Sequence, residues 1–155
     1  PAAPDHADRV AAINAEKLNL QMTECQKRVE KFPTDLRIRF DMGVLYFQAG
    51  KIGEAIKEFQ RARDNPNKRV PATNYLAQCF AKRKMFDLAA ENLRDALKEK
   101  QVFDDEKKEL TYNLATVLES MGKKEDAIEQ FKLIYKVDAS YRDVEAKVEA
   151  FYAGQ

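Results

Sequence analysis

The chain resembles itself at a spacing of about 34 residues, and this constrains its fold more than any other feature. A shift of 34 carries Met42 onto Leu76, and a shift of 38 carries Leu76 onto Leu114. Small residues follow each of these: Gly43, Ala77 and Ala115. Large ones come three positions later: Tyr46, Phe80 and Leu118. A second set runs in the same register. Ala55, Ala89 and Ala127 are identical, Phe59, Leu93 and Phe131 are large, and Ala62, Ala96 and Ile134 close the set. A small residue lets two helix backbones approach where they cross, and a large one a turn away fills the space beside it. Each period is therefore expected to be a helix pair. Such a pair cannot bury its apolar face alone, so pairs stack.

The local signals agree. Leu36, Phe40, Leu45 and Phe47 recur at helical spacing among charged residues, and Ala49-Gly50-Lys51 breaks the run. Ala55 to Ala62 forms a second run, stopped at Asn65-Pro66-Asn67 because Pro66 cannot continue a helix. No period-two alternation of β-branched residues appears, so no strand is expected. With 155 residues the chain is the size of one domain. Its 27 basic and 26 acidic side chains nearly cancel, which gives no electrostatic argument for nucleic acid or an anionic membrane. No apolar stretch is long enough for a transmembrane helix.

The period and its columns resemble the tetratricopeptide repeat, whose pattern is leucine-glycine, an aromatic, an alanine, a phenylalanine, another alanine and a closing proline. Met42-Gly43, Tyr46, Gly50, Ala55, Phe59 and Ala62 match best. Leu114-Ala115, Gly122, Ala127 and Phe131 match in the third repeat. Leu76-Ala77, Phe80, Ala89, Leu93 and Ala96 match in the second, which lacks the turn glycine. Two departures stand out. Arg39 occupies a position where the family favours tryptophan, and Pro66 comes one residue early. The resemblance spans residues 36–140, about two-thirds of the chain. Another α-solenoid of helix pairs is the alternative. The resemblance implies an all-α, right-handed solenoid of about three helix pairs, at 36–69, 70–103 and 108–141.

The ends frame these pairs. Residues 1–7 read as the end of a linker. Residues 8–32 carry Val10, Ile13, Leu18, Met22, Cys25, Val29 and Phe32 at spacings near three and four. They form one N-terminal helix or a degenerate repeat of two. Asp104 is expected to cap a helix lengthened by about one turn. Asp138-Ala139-Ser140 is expected to start a capping helix over 141–153, with Tyr141, Val144, Val148, Phe151 and Tyr152 on one stripe.

Catalytic and metal-binding patterns are missing from the sequence. His6 is the only histidine and lies beside the linker. No HExxH, phosphate loop or EF-hand pattern occurs. Cys25 and Cys79 belong to no CxxC pair and read as small buried hydrophobes. No cofactor and no enzymatic activity are expected. Lys82-Arg83-Lys84 reads as a solvated turn.

Because the chain resembles this family, its concave face is expected to bind a segment of another protein. The groove positions map onto Arg37, Phe40, Val44 and Phe47, then Asn74, Gln78 and Lys82, then Tyr112, Thr116 and Glu119. Aromatics and arginine often dominate binding energy. Asn74 and Gln78 can hydrogen-bond a peptide backbone. The opposing expectation is that the first helix covers Phe40 and Phe47. Family members that hold acidic chaperone tails carry a cationic clamp where this chain has Phe40, Val44, Gln78, Tyr112 and Thr116, so that role is not expected. Two readings follow: a partner-binding module, expected to be a monomer in the cytoplasm or tethered by an upstream segment, or a segment that joins copies or neighbouring domains.

Overall fold

A computed structural model describes residues 5–154. Among these, all regular structure is helical: α1 (His6–Lys31), α2 (Leu36–Gln48), α3 (Ile52–Ala62), α4 (Arg69–Lys82), α5 (Phe86–Lys98), α6 (Asp105–Ser120), α7 (Lys124–Val137) and α8 (Val144–Ala153). The chain forms two compact units, one ending at Ala72 and one beginning at Thr73. Residues 1–4 of the expected linker lie outside the described residues. His6 and Ala7 already belong to α1, because the Asp5 carboxylate caps the helix by accepting from the Asp8 N–H at 2.8 Å.

In the first unit, α1 runs unbroken for 26 residues. Met22, Cys25 and Val29 pack on Ile38, Met42, Leu45 and Tyr46 of α2. The apolar stripe expected along the whole of α1 is only partly used. Val10, Ile13 and Phe32 are exposed. Length gives the reason: at 1.5 Å per residue, the 13-residue α2 can cover only about half of α1. The turn between them is set by Asp35, which caps α2 by accepting from the Arg37 N–H at 3.0 Å. α2 and α3 then cross at Gly43, directly over the ring of Phe59.

Arg39 takes the tryptophan position with different chemistry. Its guanidinium pairs with Glu58 of α3 at 3.3 Å and donates to the Pro33 carbonyl at 3.2 Å. A charged staple thus joins the two helices and the preceding turn where an indole would have packed.

In the second unit, the repeat columns form the core. Leu76, Ala77, Ala89, Leu93, Ala96, Leu114, Ala115, Ala127, Phe131 and Ile134 are all buried. Asp104 caps α6 by accepting from the Lys107 N–H at 2.9 Å. Lys100 reaches Asp104 at 2.8 Å and Glu106 at 2.7 Å, which fastens the extra turn. The capping helix starts later than expected. Asp138 to Asp143 forms turns, and Arg142 has φ +43°, so α8 begins only at Val144. Val144 and Val148 are buried, whereas Tyr152 is 56% exposed.

The three hairpin turns are built alike. Gly50 and Gly122 both have φ +76°, and Lys84, in register between them, has φ +60°. In each turn the next N–H closes on the aromatic-column carbonyl: Lys51 to Tyr46 at 2.8 Å, Met85 to Phe80 at 2.8 Å and Lys123 to Leu118 at 2.9 Å. This is the Schellman closure, in which a left-handed residue ends the helix. The second repeat keeps the turn without the glycine, at a steric cost to Lys84. Lys84→Gly is therefore expected to raise stability by about 0.5–1 kcal/mol, read as a higher denaturant midpoint at constant slope. A lower midpoint would mean that the lysine side chain contributes more than the strain.

Candidate functional site

The positions mapped to a binding face fall in both units. In the first, Arg37, Phe40, Val44 and Phe47 lie along one side of α2, and the last three are half-buried. α1 packs on the other side, through Ile38, Met42, Leu45 and Tyr46. Phe40 meets Phe59 edge-on at 5.7 Å, and the Lys68 ammonium lies 4.7 Å from its ring centre. Arg37 pairs with Asp35 at 3.3 Å and holds that carboxyl below the usual range. Arg28, Phe32, Asp41 and Lys68 join Arg37 around an open pocket of about 620 Å³. Its charges are largely self-paired, with Arg28 3.8 Å from Asp41.

In the second unit, Gln78, Lys82 and Thr116 meet at a pocket of about 230 Å³. Its apolar wall comes from Ala77, Ala81, Leu93 and Val117. Asn74 is buried, and its Oδ1 accepts from Asn113 Nδ2 at 3.0 Å. Asn113 also lines the pocket. Sequence reasoning overlooked Asn113 because its register partners, Asp41 and Tyr75, share no chemistry with it. Leu93 of α5 and Phe131 of α7 are both buried in this unit.

Tyr112 is the most elaborated position. Its ring stands edge-on to Phe131 at 5.7 Å and to Tyr141 at 6.0 Å. Its hydroxyl donates to Asp143 Oδ1 at 2.6 Å, and the Arg142 guanidinium lies 4.7 Å from its ring centre. Thr116 turns its hydroxyl back to the Tyr112 carbonyl at 3.0 Å. Glu119, one turn further on, is paired with Lys147 of α8 at 3.0 Å. Two of the three expected α6 positions are therefore engaged by the chain's own C-terminal segment. Arg142, Asp143 and Lys147 were not legible as site residues, because a helix starting at Asp138 would have placed them differently.

Burial first, and the hydrogen bond to Asp143 second, push the Tyr112 phenol up to about 12. The ordinary value is about 10. The folded phenol keeps its proton longer than the unfolded one. Its contribution to stability is therefore complete below pH ~10 and declines as pH rises from ~10 to ~12. Tyr112→Phe should remove the highest step from the tyrosinate absorbance titration, and Asp143→Asn should lower that step. An unchanged titration in Tyr112→Phe would place the step elsewhere.

The remaining candidates for chemistry stand apart from these faces. His6 is exposed at the start of α1. Cys25 and Cys79 are free and buried, and burial pushes the Cys79 thiol up to about 11. No group of potential metal ligands occurs among the described residues, and no described helix is long and apolar enough to cross a membrane.

Residues 40–102 and 109–141 each match a family described as tetratricopeptide repeat. No curated sequence matches the chain significantly. Among solved structures, the crystal structure of MamA is similar with a TM-score of 0.77 at 17% identity, covering 99% of this chain and 86% of that one. YrrB, described as a TPR protein with an unusual peptide-binding site, is similar with a TM-score of 0.70 at 18% identity, covering 96% of this chain and 73% of YrrB. A Podosopora anserina putative kinesin light chain with nearly identical TPR-like repeats is similar with a TM-score of 0.65 at 14% identity, covering 97% and 88%. At these identities the likeness concerns the fold.

Proposed function

The chain belongs to the tetratricopeptide-repeat family, and from that membership we propose that it is a non-catalytic protein-interaction module that takes up a segment of a partner protein along its mapped groove positions. The observation that carries the reading is the pocket in the second unit. It gathers Gln78, Lys82 and Thr116, three positions mapped from the repeat pattern, around an apolar wall. Amide and hydroxyl groups at the rim can pair with a peptide backbone, while Ala77, Ala81 and Leu93 receive a side chain. Phe40 supports the same reading in the first unit, because it lies on the side of α2 opposite the residues that pack with α1.

A partner captured from lysate and identified by mass spectrometry supplies the ligand for the test. Phe40→Ala or Tyr112→Ala is expected to weaken its binding by about 1–3 kcal/mol while the helical circular dichroism signal persists. Asn74→Ala should cost less, about 0.5–1.5 kcal/mol, since Asn74 is buried and its neutral hydrogen bond holds Asn113 at the pocket. Lys57→Ala, at an exposed position of α3, should change little. Full affinity in both aromatic variants with loss in Lys57→Ala would move the site away from these faces.

A second reading has its own observation. Val10, Ile13 and Leu20 of α1 are 41%, 64% and 63% exposed, an apolar surface suited to joining copies or neighbouring domains. Sedimentation across a range of concentrations distinguishes the two: a constant monomer supports partner binding, and concentration-dependent association supports assembly.

A further inference from the structure

We propose that Arg142, outside the repeats and absent from the mapped groove positions, is a carboxylate-binding residue, and that the segment received by this unit is an extended peptide with an acidic side chain about two residues from an aliphatic one. The proposal rests on the reading that the α6 face bearing Tyr112 and Thr116 receives a partner.

Arg142 is held in place by its backbone conformation and by two aromatic rings rather than by a carboxylate. Its backbone is left-handed at φ +43°, a conformation disfavoured for a residue with a Cβ. Its guanidinium lies 4.7 Å from the Tyr112 ring centre and 5.2 Å from that of Tyr141. Two rings thus orient the planar fork while the side chain stays exposed. The adjacent acid is already committed, because Asp143 accepts the Tyr112 hydroxyl at 2.6 Å. Glu119, on the same face of α6, is taken by Lys147 at 3.0 Å. Among the described residues no carboxylate pairs with Arg142. A pre-oriented, exposed guanidinium without an acid partner suits a bidentate carboxylate from outside.

The second half of the proposal comes from the pocket. Thr116 lines it, with Ala77, Ala81, Leu93 and Val117 as its apolar wall. Tyr112, beneath Arg142, lies four residues earlier on α6, which is about 6 Å along the helix. An extended chain rises about 3.3 Å per residue, so two residues span the same distance. One side chain can then meet Arg142 while the other enters the pocket. At about 230 Å³ the pocket suits a single aliphatic side chain, with Gln78 and Asn113 at its edge for the backbone between.

The test uses an array of capped octapeptides in three matched sets. Each set has leucine at one position and, two residues away, either glutamate, glutamine or lysine. The full chain is expected to prefer the glutamate set over the glutamine set by at least tenfold, and to bind the lysine set worst. Arg142→Asn tolerates the left-handed backbone and removes the charge; it should abolish the preference with an unchanged melting temperature. Arg142→Lys should retain only part of it. Leu93→Phe, which narrows the pocket, should weaken all three sets alike. Binding of all sets equally by the wild-type chain would overturn the acidic preference and leave the interaction reading standing. A glutamate preference that survives Arg142→Asn would overturn the role of Arg142. Binding of no set would remove the support for both.

Discussion

Gly43→Leu should be among the most damaging single substitutions in the first unit, lowering its stability by about 3 kcal/mol. A Cβ built on Gly43 lies 2.7 Å from Phe59 Cε1 and 2.9 Å from Cδ1. Those atoms belong to a ring that is fully buried and set edge-on against Phe40 at 5.7 Å. The ring can yield only by displacing Phe40 or by prising α3 from α2. Overpacking of this kind costs about 1–3 kcal/mol, and leucine adds three further carbons where even the first does not fit. Gly43→Ala separates the two terms. Alanine gains about 1 kcal/mol of helix propensity over glycine, which offsets part of the clash. Ala115 and Phe131 hold the same two columns in the third repeat and are both buried, so a crossing of this kind can be built around one methyl once the helices shift apart slightly. Gly43→Ala should therefore cost clearly less than Gly43→Leu, measured as denaturant midpoints at constant slope. Equal midpoints for the two variants would show that the crossing is looser than its geometry.

The same crossing explains what could be read in advance. The repeat columns predicted the buried residues well, because each column is a packing requirement that recurs whenever two helices meet at the same angle. Gly43, Ala77 and Ala115 in one column, and Phe59, Leu93 and Phe131 in the other, follow from a single rule. The rule fails where the requirement is met by other means. Lys84 takes a left-handed conformation that its side chain gives no reason to expect, because the turn is imposed by the helices on either side. Arg39 replaces apolar packing with a salt bridge to Glu58, a partner 19 residues away that no local pattern reveals.

The candidate site was less legible than the core, and for a related reason. Spacing along α6 brought Tyr112, Thr116 and Glu119 to one face. It said nothing about the chain returning from Asp138 to Lys147 to engage two of them. That return depends on one backbone conformation at Arg142, which has no sequence signature of the kind glycine gives at Gly50 and Gly122. The exposed half of α1 is not legible in the sequence, because periodicity reports amphipathicity without reporting whether a partner helix is long enough to cover it.

Phe131→Ala should be the corresponding loss in the second unit, at about 3–5 kcal/mol. Phe131 is 1% exposed and fills the column held by Phe59 and Leu93 in the other repeats. Its ring supports Tyr112 edge-on at 5.7 Å, and the Lys147 ammonium sits over it at 5.7 Å. Truncation opens a cavity beneath the face that carries Tyr112, and the surrounding helices relax into it only partly. Phe131→Leu is the informative comparison, since the middle repeat already uses Leu93 at this position. It should cost under about 2 kcal/mol, because most of the volume is kept and only the aromatic edge is lost. The two variants also differ at the site. In Phe131→Leu, Tyr112 retains its bond to Asp143 and its high tyrosinate step. In Phe131→Ala, the loosened ring becomes hydrated and that step should move down towards 10, the ordinary tyrosine value. A stability loss without any movement of the Tyr112 step would mean that the 138–143 turn alone positions the tyrosine, and that the core beneath it serves the fold but not the binding face.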